Sequence, residues 1–284
     1  YLDWYLEGYL HAPLNEHGQI SSTYPGQHIT LLDYSLIPLL GQPIYKQRTG
    51  AYYKPEASYA KASTLKRWYD AHLNAQGLVA FDYQAYAEKG LRNFIDHPGV
   101  GWHNFPHPGI DRDGVSAPLN LFFYGFVRTL SEIAAHLVRP EATQLAFQAE
   151  GLAQEIRRTF YDGCVFHDAL DKGQLSEGTS WQTNALAVGF GRLQGVEATC
   201  AMRLMLEGYD RLCRCTPYFH FYFLPALRLA GLEDEARELI VREWGQMLAR
   251  DATTTWEAFG GDERDSLCHP WSTAPLLFLL ESTD

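Results

Sequence analysis

Thr253-Thr254-Thr255-Trp256-Glu257-Ala258-Phe259, then Gly260-Gly261-Asp262-Glu263-Arg264-Asp265, then Ser266-Leu267-Cys268-His269-Pro270-Trp271-Ser272 is the stretch around which the chain is organised. It packs four carboxylates, one His and two Trp between one helical pattern, Asp234 to Leu248, and another, Ser272 to Leu280. Short polar loops between helices are where an all-helical enzyme carries its chemistry. Glu257 follows an aromatic ring at the head of this loop, a suitable place for a carboxylate that activates water.

Working outward, helical patterns dominate. Tyr1 to Leu10 reads as a helix under way, and Pro13 to Gly18 breaks it. Ile29 to Leu40 has the periodicity of a buried helix, with Leu31, Leu32, Tyr34, Leu36 and Leu39 in its pattern and Pro38 as a kink. Glu56 to Leu73 is a second helix. Pro118 to Leu137 is strongly apolar, and Pro140 to Phe160 is amphipathic around Ala146, Ala149, Leu152, Ala153 and Ile156. Tyr161 to Ser176 resembles a short hairpin, with Cys164 to His167 as a candidate edge strand. Ser180 to Leu193, Val196 to Tyr209 and Tyr218 to Leu229 are further helices, with Gly195 and Gly231 marking turns. No repeat of fixed period is evident, which argues against a solenoid. The pattern predicts an all-α fold of helical hairpins closed into a ring.

Gly77 to Gly114 is the longest irregular region. It holds Phe94, Trp102, Phe105 and three His among its Gly and Pro, a composition that argues against disorder. The spacing of His103 and His107 suits a helical metal pair, but Pro106 and Pro108 forbid that helix.

Composition narrows the function. The 284-residue chain is long enough for one large domain or two small ones, and its 46% hydrophobic content supplies a sizeable core. Its net charge of -11 argues against nucleic acid as a partner. No apolar run is long enough to span a membrane. Aromatic residues make up 14%, which suits either bulky core packing or flat platforms for sugars. Five irregularly spaced Cys, with no CxxC pair, speak against zinc and read mostly as core thiols of a reducing compartment; a periplasmic setting stays open. No residue cluster calls for a cofactor or metal, and no G-x-S-x-G, G-x-G-x-x-G or P-loop occurs.

The Thr254-Thr255-Trp256-Glu257 run with Ser266-Leu267-Cys268-His269-Pro270-Trp271-Ser272 resembles the general-base loop of glycoside hydrolase family 78, the α-L-rhamnosidases. Asn93-Phe94-Ile95-Asp96 resembles that family's aromatic-Ile-Asp segment. Pro118 to Tyr124 and Thr183 to Ala187 are similar to its helix starts. The resemblance spans roughly Trp4 to Leu280. It implies an (α/α)6 toroid, a carbohydrate substrate, and inverting hydrolysis with two carboxyl groups on opposite sides of the sugar. It also implies Glu257 as the general base. His269, Asp96, Trp102, Trp256, Asp33 and Tyr34 are then the residues expected to shape the sugar site. The bland readings stand beside these: Glu257 as a solvated loop residue or helix cap, His269 as a helix-start hydrogen-bonder, Asp96 as a loop brace accepting backbone N–H groups, Trp102 as core, and Asp262, Glu263 and Asp265 as a solvated turn with Arg264 pairing locally.

The chain departs from the family twice. The family's general acid sits in an acidic, Arg-containing motif that nothing in Tyr1 to Leu10 reproduces. Glu7 lies too close to Pro25 for the helix that should intervene. The acid is therefore expected upstream of Tyr1, and β-rich domains are expected to flank the barrel. His97-Pro98 also follows Asp96 where the family usually has Trp, which bears on sugar preference. The alternatives are a carbohydrate-binding relative lacking the acid, or a six-hairpin glycosidase of another sugar specificity.

Overall fold

The structure is a computed structural model, and it describes residues 2–22, 29–80, 82, 88, 90–96, 109–112, 114–261 and 265–281. The described residues form two compact units. The first comprises residues 1–95, 112–160 and 169–175, the second residues 96–111, 161–168 and 176–284.

The first unit contains α1 (Leu2–His11), α2 (Leu32–Thr49), α3 (Pro55–Asp70), α4 (Ala117–His136) and α5 (Ala142–Phe160). Its centre is α4, a helix apolar on nearly all sides because α2, α3 and α5 pack against it. Helix α5 is truly amphipathic. Its buried stripe is Leu145, Ala149, Leu152, Ala153, Ile156 and Phe160. The stripe begins at Leu145, and Ala146 is exposed, because Ala146 points farther than Leu145 from the centre of the stripe. Helix α2 does not stop near Leu40. It runs through Pro38 and Pro43 to Gly50, whose left-handed backbone (φ 84°) ends it with an N–H bond to Lys46 O. Burial of Leu32, Leu36, Leu39 and Gln42 outweighs the two missing proline N–H groups.

Two parallel residue pairs, β1 (Thr30–Leu31) with β2 (Leu91–Arg92), lay the 91–95 segment beside the start of α2. A three-stranded sheet joins β3 (Val115–Ser116), β4 (Ala169–Asp171) and β5 (Gln174–Leu175). The short hairpin expected within 161–176 is present, but its strands are 169–171 and 174–175 rather than 164–167, and Lys172 and Gly173 supply the two positive φ angles of its tight turn. Phe166 makes one isolated bridge, to Tyr161.

The second unit contains α6 (Trp181–Gly189), α7 (Gly195–Glu207), α8 (His220–Leu229), α9 (Glu233–Leu248) and α10 (Ala274–Glu281). Helix α8 packs against all four others, and α6 against α7. Ser180 caps α6 by accepting from Thr183 N. The buried Asp168 carboxylate secures the cap through Ser180 N (3.1 Å), Ser180 Oγ (2.6 Å) and Thr183 Oγ1 (2.5 Å).

One device recurs. After α1, Leu14 bridges Ile20 around Asn15 and Gly18; after α3, Leu73 bridges Val79 around Asn74 and Gly77. Asn15 Oδ1 accepts from His17 N and Gln19 N, and Asn74 Oδ1 accepts from Gln76 N and Leu78 N, all at 3.0 Å. Asp162 repeats the pattern after α5, accepting from Cys164 N and Val165 N. A buried Asn then locks the returning segment onto the next helix. Asn120 bonds both backbone groups of Val79, and Asn184 both of Phe166. Satisfying these groups lets the turn residues Val79 and Phe166 lie fully buried. The all-α helical-hairpin class expected from the sequence is what the described residues form.

The cysteines differ from expectation. Cys213 and Cys215 are core thiols, but Cys200 and Cys268 are exposed and Cys164 is half-buried. Small thiols on short turns and helix faces follow their backbone's position, which helical periodicity does not fix for residues outside the apolar stripe. No helix among the described residues is long and apolar enough to cross a membrane.

Candidate active site

The Glu257 loop has two limbs, tied rung by rung. Glu257 N donates to Ser266 O (2.9 Å), and Ser266 N donates back to Glu257 Oε2 (3.0 Å). His269 N donates to Thr255 O (2.8 Å), and Thr255 Oγ1 to His269 O (3.0 Å). Thr254 Oγ1 adds a bond to Leu267 O. The structure thus brings Glu257 and His269 onto facing limbs of one braced loop, both part-exposed. The His269 carbonyl also accepts from Ser272 N, at the start of the 3-10 turn Pro270–Ser272.

Trp256 roots the loop. It is 6% exposed and packs with Trp244, Met247 and Phe259. The Arg250 guanidinium lies 4.7 Å from its ring centroid and donates to the carbonyls of Gly260 and Gly261. Gly261 lies flat against the indole, where any Cβ would overlap the ring. Trp271, by contrast, is 53% exposed, and its ring meets Tyr218 edge-on at 5.9 Å. The sequence offered both indoles in one motif. It gave no means to tell the rooted one from the presented one.

Asp96 is buried (1% exposed) and held from several sides. It accepts from Thr216 Oγ1 (2.5 Å), Thr216 N (3.0 Å) and Gln182 Nε2 (2.8 Å). Thr216 O in turn accepts from His220 Nδ1 at 2.7 Å, which leaves Nε2 as the unprotonated ring nitrogen. No hydrogen bond meets that nitrogen. Burial first, then the Arg214 and Arg242 charges, pull the His220 pKa down to about 4 against the opposing pull of the Thr216 carbonyl. The His220 ring packs edge-on against Trp244 and Phe259, so the Asp96 network reaches the base of the Glu257 loop.

In the first unit, Asp33 stands in the opening turn of α2, fully buried, with no hydrogen bond to either carboxylate oxygen. Burial raises its pKa to about 7. The backbone amides of Ile95, Asp33 itself and Phe94, which point at the carboxyl without well-aligned hydrogen-bond geometry, and then the Arg112 charge, restrain the rise. Arg112 spends its Nε and Nη2 on Phe94 O, at 3.1 Å each. The neighbouring Asn93 is buried with its amide also unpaired. Ile95 adopts a left-handed backbone (φ 59°), a strained choice for a β-branched residue. Tyr34 is part-exposed, its ring edge-on to Phe94 at 5.7 Å. Trp102, His103 and His107 lie outside the described residues, as do Asp262, Glu263 and Arg264.

Glu7 has the wrong environment for a general acid. Lys54 Nζ, Tyr53 Oη and His11 all bond its carboxylate and hold its pKa down to about 2. Among the described residues, no three His, Cys, Asp or Glu side chains gather as a metal site requires.

No protein-family model matches this chain, and no curated protein matches it in sequence. Its fold does match solved structures. The family 78 rhamnosidase of Bacillus sp. GL1 superposes with a TM-score of 0.72 at 22% identity, over 99% of this chain and 31% of that one. A rhamnosidase from Klebsiella oxytoca with rhamnose bound gives 0.72 at 20% identity, over 95% of this chain and 52% of its own. The α-L-rhamnosidase of Dictyoglomus thermophilum gives 0.69 at 17% identity, over 98% and 31%. The chain thus spans about a third to a half of these relatives' length. At such identities the shared property is the fold, and at that level the resemblance read from the sequence holds.

Proposed function

We propose that this chain is the catalytic part of an inverting glycoside hydrolase that removes terminal α-L-rhamnose, or a related sugar, with Glu257 as general base. The fold shared with rhamnosidases supports the class. The observation that carries the residue choice is the clamp on Glu257. Its Oε2 is fixed by the Ser266 amide on a loop braced at 255/269 and 257/266, while the side chain remains reachable by water. A base that abstracts a proton from water needs such a fixed carboxylate, because misalignment costs rate steeply. His269, on the facing limb, is placed to hydrogen-bond a sugar hydroxyl. Trp271 takes the part of aromatic platform and Trp256 that of support for the loop. Asp96 acts through the Thr216–His220 network that shapes the loop's floor, and Asp33 and Tyr34, in the first unit, are the further sugar-contacting residues that the family resemblance implies. The acid on the far face of the sugar comes from an acidic, Arg-containing segment of the longer protein, as the family resemblance implies. The helices then complete a six-hairpin ring flanked by β-rich domains.

The test is Glu257→Gln in the full-length protein, assayed on an aryl α-L-rhamnoside. Turnover falls by roughly 10²–10⁴-fold or more with substrate binding retained, since the amide keeps the shape and loses the base. Near-normal turnover would overturn the assignment. An aryl glycoside panel on which the wild type turns over another sugar only would keep the base and replace the substrate.

A further inference from the structure

We propose that Cys164 and Cys200 form a reversible intramolecular disulfide, with a small-molecule disulfide such as oxidised glutathione as the oxidant. Their sulfurs stand 3.9 Å apart, although the residues are 36 positions apart in sequence. Side-chain rotation closes a gap of this size to the bonding distance of about 2 Å wherever the two Cα atoms lie within about 7 Å.

The approach is built by fixed backbone on both sides. Cys164 sits in the Asp162 turn, where the carboxylate accepts from Cys164 N (2.8 Å) and Val165 N (2.9 Å) and meets His167 Nε2 at 3.0 Å. Cys200 lies on α7 between Thr199, whose hydroxyl donates to Ala230 O at 2.7 Å, and the fully buried Ala201. Both thiols can be reached from solvent, Cys200 freely and Cys164 in part. The other three provide internal controls: Cys213 and Cys215 are buried, and Cys268 is exposed on the Glu257 loop.

The chemistry balances as thiol–disulfide exchange. The Cys200 thiolate attacks one sulfur of oxidised glutathione and expels one glutathione thiolate. The Cys164 thiolate then attacks the Cys200 sulfur of the mixed disulfide and expels the second. Two protein thiols become one disulfide, and one oxidised glutathione becomes two reduced molecules, which take up the two released protons. Burial and the neighbouring Cys200 thiol raise the Cys164 pKa, so the closing step accelerates as pH rises.

The experiment incubates the full-length protein with oxidised glutathione at mildly alkaline pH, then quenches with N-ethylmaleimide for peptide mass mapping. The expected result is a cross-linked Cys164–Cys200 peptide pair lighter by two hydrogens, reversed by dithiothreitol, while Cys268 carries a glutathione adduct. In Cys164→Ser, Cys200 instead retains glutathione as a stable mixed disulfide. Separate glutathione adducts on Cys164 and Cys200 in the wild type would overturn the proposal. So would two alkylated, unoxidised thiols in a sample whose Cys268 has reacted.

Discussion

Asp33 in the first unit and Asp96 in the second are buried equally deeply, and the chain treats them oppositely. Asp96 accepts a hydroxyl, a backbone amide and a side-chain amide. Asp33 has only poorly aligned backbone amides near its carboxyl and no well-formed hydrogen bond, and its neighbour Asn93 has an unpaired side-chain amide. Buried polar groups are ordinarily satisfied, so a satisfied one reads as architecture. An unsatisfied one reads as a cost that folding alone does not explain. The difference separates two aspartates that the family resemblance placed in one class.

Removing the well-held carboxylate tests the comparison most severely. Asp96→Ala leaves Thr216 N, Thr216 Oγ1 and one of the two Gln182 Nε2 hydrogens buried without their acceptor, and lowers unfolding stability by about 3–5 kcal/mol in urea titrations. A loss near that of a surface substitution would show that water replaces the carboxylate.

Asp33 should behave in the reverse sense. Its folded pKa, about 7, lies above its ordinary 3.8. Below about pH 4 both folded and unfolded chains carry the proton and no penalty arises. Between these values the unfolded chain loses the proton while the folded chain keeps it, so stability falls as pH rises. The full penalty, on the order of 4 kcal/mol, is reached above pH 7. Asp33→Asn removes the ionisation and stabilises the protein at pH 8 by roughly 2–4 kcal/mol, with little gain at pH 4. Paired urea titrations at the two pH values check this, and equal stability of variant and parent at pH 8 would mean that the carboxylate is paired after all.

A smaller effect of opposite slope comes from His220, which hangs from the Asp96 network. Its folded pKa of about 4 lies below the ordinary 6.5. Its contribution is complete above pH 6.5 and is lost as pH falls toward 4, because the unfolded chain takes up a proton that the folded core refuses. The expected loss between pH 6.5 and 5 is roughly 2 kcal/mol. Imidazole NMR shifts should show His220 still neutral at pH 5, and a ring charged at that pH would break the link between the network and its burial.

Much of this was legible in the sequence, for identifiable reasons. The ten described helices follow from apolar periodicity, and α2 outran its expected end only because burial overrode two prolines. The paired turns were also written plainly, as Leu-Asn-x-x-Gly at 14–18 and again at 73–77, though two copies are too few to register as a fixed period. Asp33 beside Phe94 and Ile95 was not legible from periodicity. Two-residue strands make that contact, and they are too short to leave an alternating pattern. Nor could the sequence tell rooted Trp256 from exposed Trp271, since both belong to one aromatic motif and only tertiary packing distinguishes them.

The recurrent Asn turns carry a kinetic consequence. Asn74 reaches its partner amide across four residues, whereas Asp96 reaches Thr216 across 120. Chain-closure entropy grows with the logarithm of that span, a difference of about 3 kcal/mol between the two ties. The turns can therefore close on their own helices early, and the Asp96 anchor waits until both ends of a long excursion are already in place. The residue that braces the floor of the Glu257 loop is thus among the last to engage as the chain folds.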